Sequence, residues 1–158
     1  VRGDRFLLAI LVAIGVLVVL AVVLFYTRGG TGDYGLEDTP EGVLRNYVLA
    51  LEKGDYQRAY SYLHDTQGKP DFNQFRGAFL NGDLNPSTAA VQIGKARQSG
   101  DDVILALAII HRSNGPFGDT SRQATNALMV LSETGEWKIA NFAYPYWGWD
   151  WYSPPRTP

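Results

Sequence analysis

The chain has no cysteine and only two histidines among its 158 residues, and these scarcities exclude several chemistries at once. Without cysteine there is no disulfide, no thiolate metal centre and no lipid-modified cysteine. His64 and His111 stand 47 residues apart, which is no recognisable ligand spacing, so neither a metal nor another cofactor is expected. An excess of one charge is lacking too: 14 Lys and Arg face 16 Asp and Glu, for a net charge of −2. Those charges are spread singly, without the basic stripe that nucleic acid requires or the polybasic cluster that anionic lipid attracts. Nucleic acid is therefore not an expected partner. No glycine-rich phosphate loop follows a strand, because Gly29-Gly30-Thr31-Gly32 lies in a polar stretch with no apolar period.

What is present, first, is an uncharged apolar run over residues 6–26. About 20 apolar residues cross a bilayer core as a helix, so this run predicts a membrane span. A cleaved signal peptide has a shorter apolar core and small residues at its cleavage site, whereas Leu24-Phe25-Tyr26-Thr27-Arg28 is bulky. The segment is expected to stay attached as an anchor. Arg2 and Arg5 precede it and only Arg28 follows closely, which puts residues 1–5 in the cytoplasm and the rest of the chain outside. Residues 27–38, rich in Gly and polar side chains, read as a flexible tether. The remainder is long enough for one domain with a proper core and too short for two.

Helix signals begin at Thr39-Pro40-Glu41: a hydroxyl cap, a proline at the first helical position and an acid at the positive end of the dipole. Leu44, Tyr47, Val48 and Leu51 then share one face. Gly54 ends this helix, and Asp55 starts a second with Tyr56, Ala59, Tyr60 and Leu63 at the same spacing. A third is expected from Asp71, with Gln74 completing a capping box and Phe72, Phe75 and Phe79 on its face. Past Asn85-Pro86 the texture changes to period two and to β-branched residues, predicting strands over residues 88–98, 103–112, 123–132 and 137–144. Ser99-Gly100-Asp101-Asp102 and Glu133-Thr134-Gly135-Glu136 supply hairpin corners, and residues 113–119 a longer loop. The second strand is apolar on both faces, as a central strand is.

Three helices followed by an antiparallel meander predict an α+β roll, a curved sheet of about four strands wrapped around the helices behind an N-terminal transmembrane helix. The residues Thr39-Pro40-Glu41-Gly42-Val43 through Leu51-Glu52-Lys53-Gly54-Asp55-Tyr56-Gln57-Arg58-Ala59-Tyr60, with the late strand Gly135-Glu136-Trp137-Lys138-Ile139, resemble the nuclear transport factor two-like superfamily, the cystatin-like cone fold. More narrowly they resemble its bacterial, membrane-anchored members with one N-terminal helix. The resemblance implies a cone over residues 39–146, with Tyr47, Tyr60, Phe75 and Phe79 lining a possible pocket, and a tail over residues 147–158. Catalytic members of that superfamily use an Asp or His inside the cone, often with a Tyr hydroxyl. No two of His64, Asp65, His111 and the helical tyrosines can be placed together from spacing, so no catalytic residue is assigned and no enzyme is expected.

The unusual segment is Tyr144-Pro145-Tyr146-Trp147-Gly148-Trp149-Asp150-Trp151-Tyr152-Ser153-Pro154-Pro155-Arg156, which holds three of the four tryptophans. If extended, it places Trp147, Trp149 and Trp151 on one face. Trp and Tyr are frequent binding hot spots, so Trp147, Trp149, Trp151 and Tyr152 are the candidate partner-binding residues. Core packing of the same rings over the helices is the competing reading. The sequence thus predicts an accessory subunit of a larger membrane complex, anchored in the bacterial cytoplasmic membrane through residues 6–26, with its domain extracytoplasmic and its partners the other membrane subunits. The alternatives are a cone-fold domain that binds a small apolar ligand at the membrane surface and, behind it, a cone-fold enzyme.

Overall fold

The computed structural model describes residues 10–20, 32–112 and 120–152. The chain divides into two compact units, Val1–Asp33 and Tyr34–Pro158. In the first, residues 10–20 are helical, with Leu11, Leu17 and Val19 exposed. At 1.5 Å per residue those eleven described residues rise about 16 Å. Among the described residues no helix is long and apolar enough to cross a membrane. This corrects the expected span over residues 6–26, of which 6–9 and 21–26 lie outside the described residues. The anchor, its orientation, the extracytoplasmic location, and the bilayer and membrane-subunit partners fall with it.

The second unit holds the fold. Helix α1 (Pro40–Lys53) starts where Thr39 Oγ1 accepts the Gly42 N–H at 3.1 Å, and it ends at Gly54, whose φ of 71° is the left-handed cap that glycine adopts without strain. Asp55 caps the short helix α2 (Tyr56–Ser61), its side chain accepting from the Arg58 N–H. Asp71 caps α3 (Phe72–Leu80), accepting from both Asn73 and Gln74 N–H groups. A 3₁₀ turn, Pro86–Thr88, leads into four strands: β1 (Ala89–Ser99), β2 (Asp102–Arg112), β3 (Thr120–Leu131) and β4 (Trp137–Asn141).

The strands form one antiparallel sheet in the order β1-β2-β3-β4. Alternation along β2 sends Val103, Leu105, Leu107 and Ile109 to the helix side, where Ala127 and Met129 of β3 and Ile139 of β4 join them in the core. The helices bring Val43, Leu44, Tyr47, Ala50, Leu51, Ala59, Phe75 and Phe79 to the same core. On the other face of β2, Ala106 is exposed and Ile104 and Ile110 are half-buried.

The sheet is open and does not curl into a cone, which corrects the expected roll and the resemblance drawn from it. Register irregularities occur between Ile93 and Ala96 and between Leu128 and Met129, and the last strand is short. Curling a sheet needs long strands bent by such bulges around an enclosed space. Instead β4 stops at Asn141, and its edge is met by the backbone at Leu63 in a parallel bridge to Ile139. His64 N–H donates to Ile139 O at 3.0 Å, and Ile139 N–H to Tyr62 O at 2.8 Å.

Candidate ligand groove

After β4 the chain leaves the sheet for a compact aromatic turn over residues 142–152. A cis peptide joins Tyr144 to Pro145. Phe142, Tyr146, Trp147 and Trp151 are buried, while Tyr144 is 62% exposed and Trp149 82%. The tryptophans therefore do not share a face. An extended strand would align 147, 149 and 151, but Pro145 and Gly148 turn the chain, and at Gly148 a Cβ would collide with the Trp151 indole. The Trp151 ring packs 5.2 Å from Phe75 and 6.2 Å from Phe79, centroid to centroid. Tyr152 stacks on Trp147, and its hydroxyl donates to His64 O at 2.6 Å. Burial pushes that hydroxyl's pKa up.

The four residues proposed from sequence to line a pocket are packed against their neighbours. Tyr47 is fully buried and its hydroxyl donates to Tyr146 O at 2.6 Å. Tyr60 meets Phe72 and Phe75 edge to face, each with centroids 5.4 Å apart, and donates to Pro70 O. Phe75 and Phe79 contact each other at 5.1 Å, with Trp151 against both. The volume between these rings that a ligand would occupy is filled by the indole of Trp151.

The two histidines are not brought together. His64 lies beside Ile139, in register with Met129 of β3, whereas His111 pairs with Ser121 of the same strand. Eight residues of β3 separate those positions, roughly 26 Å at ~3.3 Å per residue. Asp65 is held by Lys69, Nζ to Oδ1 2.7 Å, and this bond lowers the carboxyl pKa against the opposing effect of burial. No group of three or more His, Asp or Glu able to hold a metal occurs among the described residues.

What the turn builds is a groove. Its exposed aromatics, Tyr144 and Trp149, stand as a ridge between two depressions that share Gly148 and Trp151 in their walls. The first, about 600 Å³, runs along α3 and is bordered by Asn73, Gln74, Asn81, Asp83 and Asp150. The second, about 580 Å³, lies toward β4 and is bordered by Leu128, Ala140, Phe142 and Trp147, with Asn141 as its polar side chain. Among the described residues the first therefore carries amides and two carboxylates with no cation in its wall, and the second is largely aromatic with no charged side chain. Sequence reading found the aromatic segment but missed the polar wall. Asn73, Gln74 and Asn81 fall on the side of α3 away from Phe72, Phe75 and Phe79, which is the only signal that marks them.

A second cluster fastens the segment before α1. Glu37 Oε1 accepts from Arg58 Nη2 at 2.7 Å, from the Tyr62 hydroxyl at 2.7 Å and from Asn46 Nδ2 at 3.3 Å. Burial acts to raise the Glu37 pKa, but hydrogen bonds from Tyr62 and Arg58 prevail and lower it. Burial raises the Tyr62 hydroxyl to about 12. Asn46, fully buried, holds the Gly35 backbone at both its N–H and C=O, and the Arg58 guanidinium lies 3.6 Å over the Tyr34 ring. Glu37 Oε1 collects three donors here and Asn46 holds both polar groups of Gly35, so the cluster reads as a fastening.

No protein-family model matches the chain, nor does any curated protein. Among solved structures it is similar to the solution structure of RPA3114, a SEC-C motif containing protein from Rhodopseudomonas palustris. The identity is 11%, over 68% of this chain and 79% of that one, with a TM-score of 0.49. At that distance the likeness carries no inference about this chain.

Proposed function

We propose that the Tyr34–Pro158 unit is a non-catalytic recognition module whose ligand lies across the Tyr144–Trp149 ridge. The observation that carries this is the contrast at one turn: Trp151 is 6% exposed while Trp149, two residues away, is 82% exposed. The turn buries one indole in the core and keeps most of the other accessible to solvent. An indole so placed beside convergent polar groups is the usual composition of a binding hot spot. The separation of His64 from His111 supports a binding role over proton-transfer chemistry.

The test is a survey by amide NMR with a panel of peptides, saccharides and organic cations. Ligands are expected to move the Gly77, Ala78, Gly148 and Asp150 amides, and Trp149→Ala is expected to abolish those shifts. Binding that maps elsewhere and survives the substitution would overturn the reading.

A further inference from the structure

The three helices pack on one face of the sheet, and the other face is open among the described residues. A solvated face of an antiparallel sheet alternates its polar side chains with those of the core. β2 departs from that pattern: its outer row is Ile104, Ala106, Ala108 and Ile110, and Ala124 of β3 pairs with Ala108. Ala106 and Ala124 are exposed. With Gly94 of β1 these small residues floor a depression of about 220 Å³, which shares no residue with the groove at the ridge. An apolar surface of this kind, rimmed by polar side chains, marks an interaction site.

Charge selects what fits there. The strands carry Lys95, Arg97, Arg112, Arg122 and Lys138 against Asp102 as their only acid, although the chain as a whole has a net charge of −2. Spread singly in the sequence, these cations are gathered by the fold into one sheet. Arg97 pairs with Ile104 and Arg122 with Ile110, so the two stand on the outer face, on either side of the β2 row and at opposite ends of it. Neither belongs to an ion pair among the described residues. Two copies joined through this face would set like charges together, and the outer rows of β1, β2 and β3 hold no aromatic ring for a nucleobase to stack on. We propose that the outer face of β1–β3 is the interface for an acidic amphipathic helix of another protein. Its apolar stripe lies over Ala106, Ala108 and Ala124, and a carboxylate near each end meets Arg97 or Arg122. Ile104 and Ile110 are about 20 Å apart along β2 at ~3.3 Å per residue, a length that a helix of about 13 residues spans.

The experiment titrates the ¹⁵N-labelled full chain with a synthetic helical peptide of about 15 residues, Leu along one stripe and Glu on both sides of it. The Ala106, Ala108 and Ala124 amides are expected to move. The same peptide with Lys in place of every Glu is expected to bind about tenfold more weakly or less. The double variant Arg97→Glu, Arg122→Glu is expected to reverse that preference. Both arginines are exposed, and unchanged Leu105 and Ile109 amides would confirm that the variant keeps its core. Absence of movement with the Glu peptide would overturn the proposal, as would equal binding of the Lys peptide or a preference that the double variant leaves in place. Movement confined to Gly148 and Asp150 would put the peptide at the ridge and overturn it too. If the same outer-face amides move when the chain alone is concentrated, the face belongs to a second copy; if a thymidine oligonucleotide moves them more strongly than the Glu peptide, it belongs to nucleic acid. Either result would overturn the proposal. The recognition reading of the ridge is judged separately, by its own ligand panel and the Trp149→Ala variant.

Discussion

Residues 34–37 and residues 142–152 both brace α1, but they are fastened by different physics. The leading segment is held by directional polar contacts: Glu37 to Arg58 and Tyr62, and the Asn46 amide to the Gly35 backbone. The trailing segment is held by rings, with Phe142 and Trp147 set edge to face on Tyr47 and Trp151 on Phe75. A polar fastening depends on pH, salt and geometry, and each hydrogen bond is worth about 0.5–1.5 kcal/mol net. An aromatic one depends on area and is indifferent to pH. Each segment leaves a large side chain mostly exposed, Leu36 at 78% in the leading one and Trp149 at 82% in the trailing one, but only the trailing one borders a groove with its exposed rings.

The comparison breaks most easily at Trp151. Replacing it by Ala removes the ring that lies on Phe75, Phe79 and Trp147, and truncation of a buried aromatic costs about 3–5 kcal/mol. Thermal or urea unfolding of Trp151→Ala should show a loss of that size. A loss under 1 kcal/mol would mean that the turn is not part of the core.

Next in size is Asn46→Ala. This removes a buried amide that makes two hydrogen bonds to the exposed backbone of Gly35, each worth about 0.5–1.5 kcal/mol net. Tyr34 sits on the same segment, so near-ultraviolet dichroism should change together with the melting temperature. An unchanged melting curve would show that residues 34–37 hang from the unit without stabilising it.

The helices were the most legible part of this fold. Thr39, Gly54, Asp55 and Asp71 act through their own side chains or backbone angles on neighbours within three residues, so their effects are written locally. The strand order was legible for the same reason, because a meander joined by tight turns pairs each strand with the next. Sheet curvature was not, since it depends on where bulges and strand ends fall, and β4 stops at Asn141 where an unbroken period-two pattern predicts continuation to Tyr144. The apolar run over residues 6–26 met a length criterion by composition, and among the described residues no helix is long and apolar enough to meet it. At the proposed groove, aromatic content is what composition could show. Which tryptophan faces water depends on Pro145 and Gly148 turning the chain and on the gap between Phe75 and Phe79, a long-range fact that spacing does not contain.

A smaller effect separates the two fastenings by pH. Glu37 has its pKa lowered from 4.5 in the folded state, so its stabilisation is present above that value and is lost as pH falls through the lower folded value. The Glu37 and Arg58 side chains are 45% and 37% exposed, and solvent screening holds the effect below about 1 kcal/mol. Asp65 shifts in the same direction, so the informative measurement is a difference: stability between pH 6 and pH 3 for the native chain and for Glu37→Gln. The native chain should lose more. Parallel curves would show that the Glu37 cluster contributes no pH dependence.

The smallest effect on stability, and the one that sharpens the comparison most, belongs to Trp149. Its ring is 82% exposed, and surface substitutions away from core contacts usually fall within about 0.5 kcal/mol of neutral. Trp149→Ala should therefore unfold at nearly the same denaturant concentration as the native chain, while Trp151→Ala, two positions along the same turn, unfolds much earlier. The pair controls for itself, because both remove one indole from one segment. If binding to the groove is lost in Trp149→Ala with stability retained, the turn divides its tryptophans between holding the fold and meeting the ligand. A stability loss in Trp149→Ala comparable to that of Trp151→Ala would erase the division and leave the aromatic turn a structural fastening throughout.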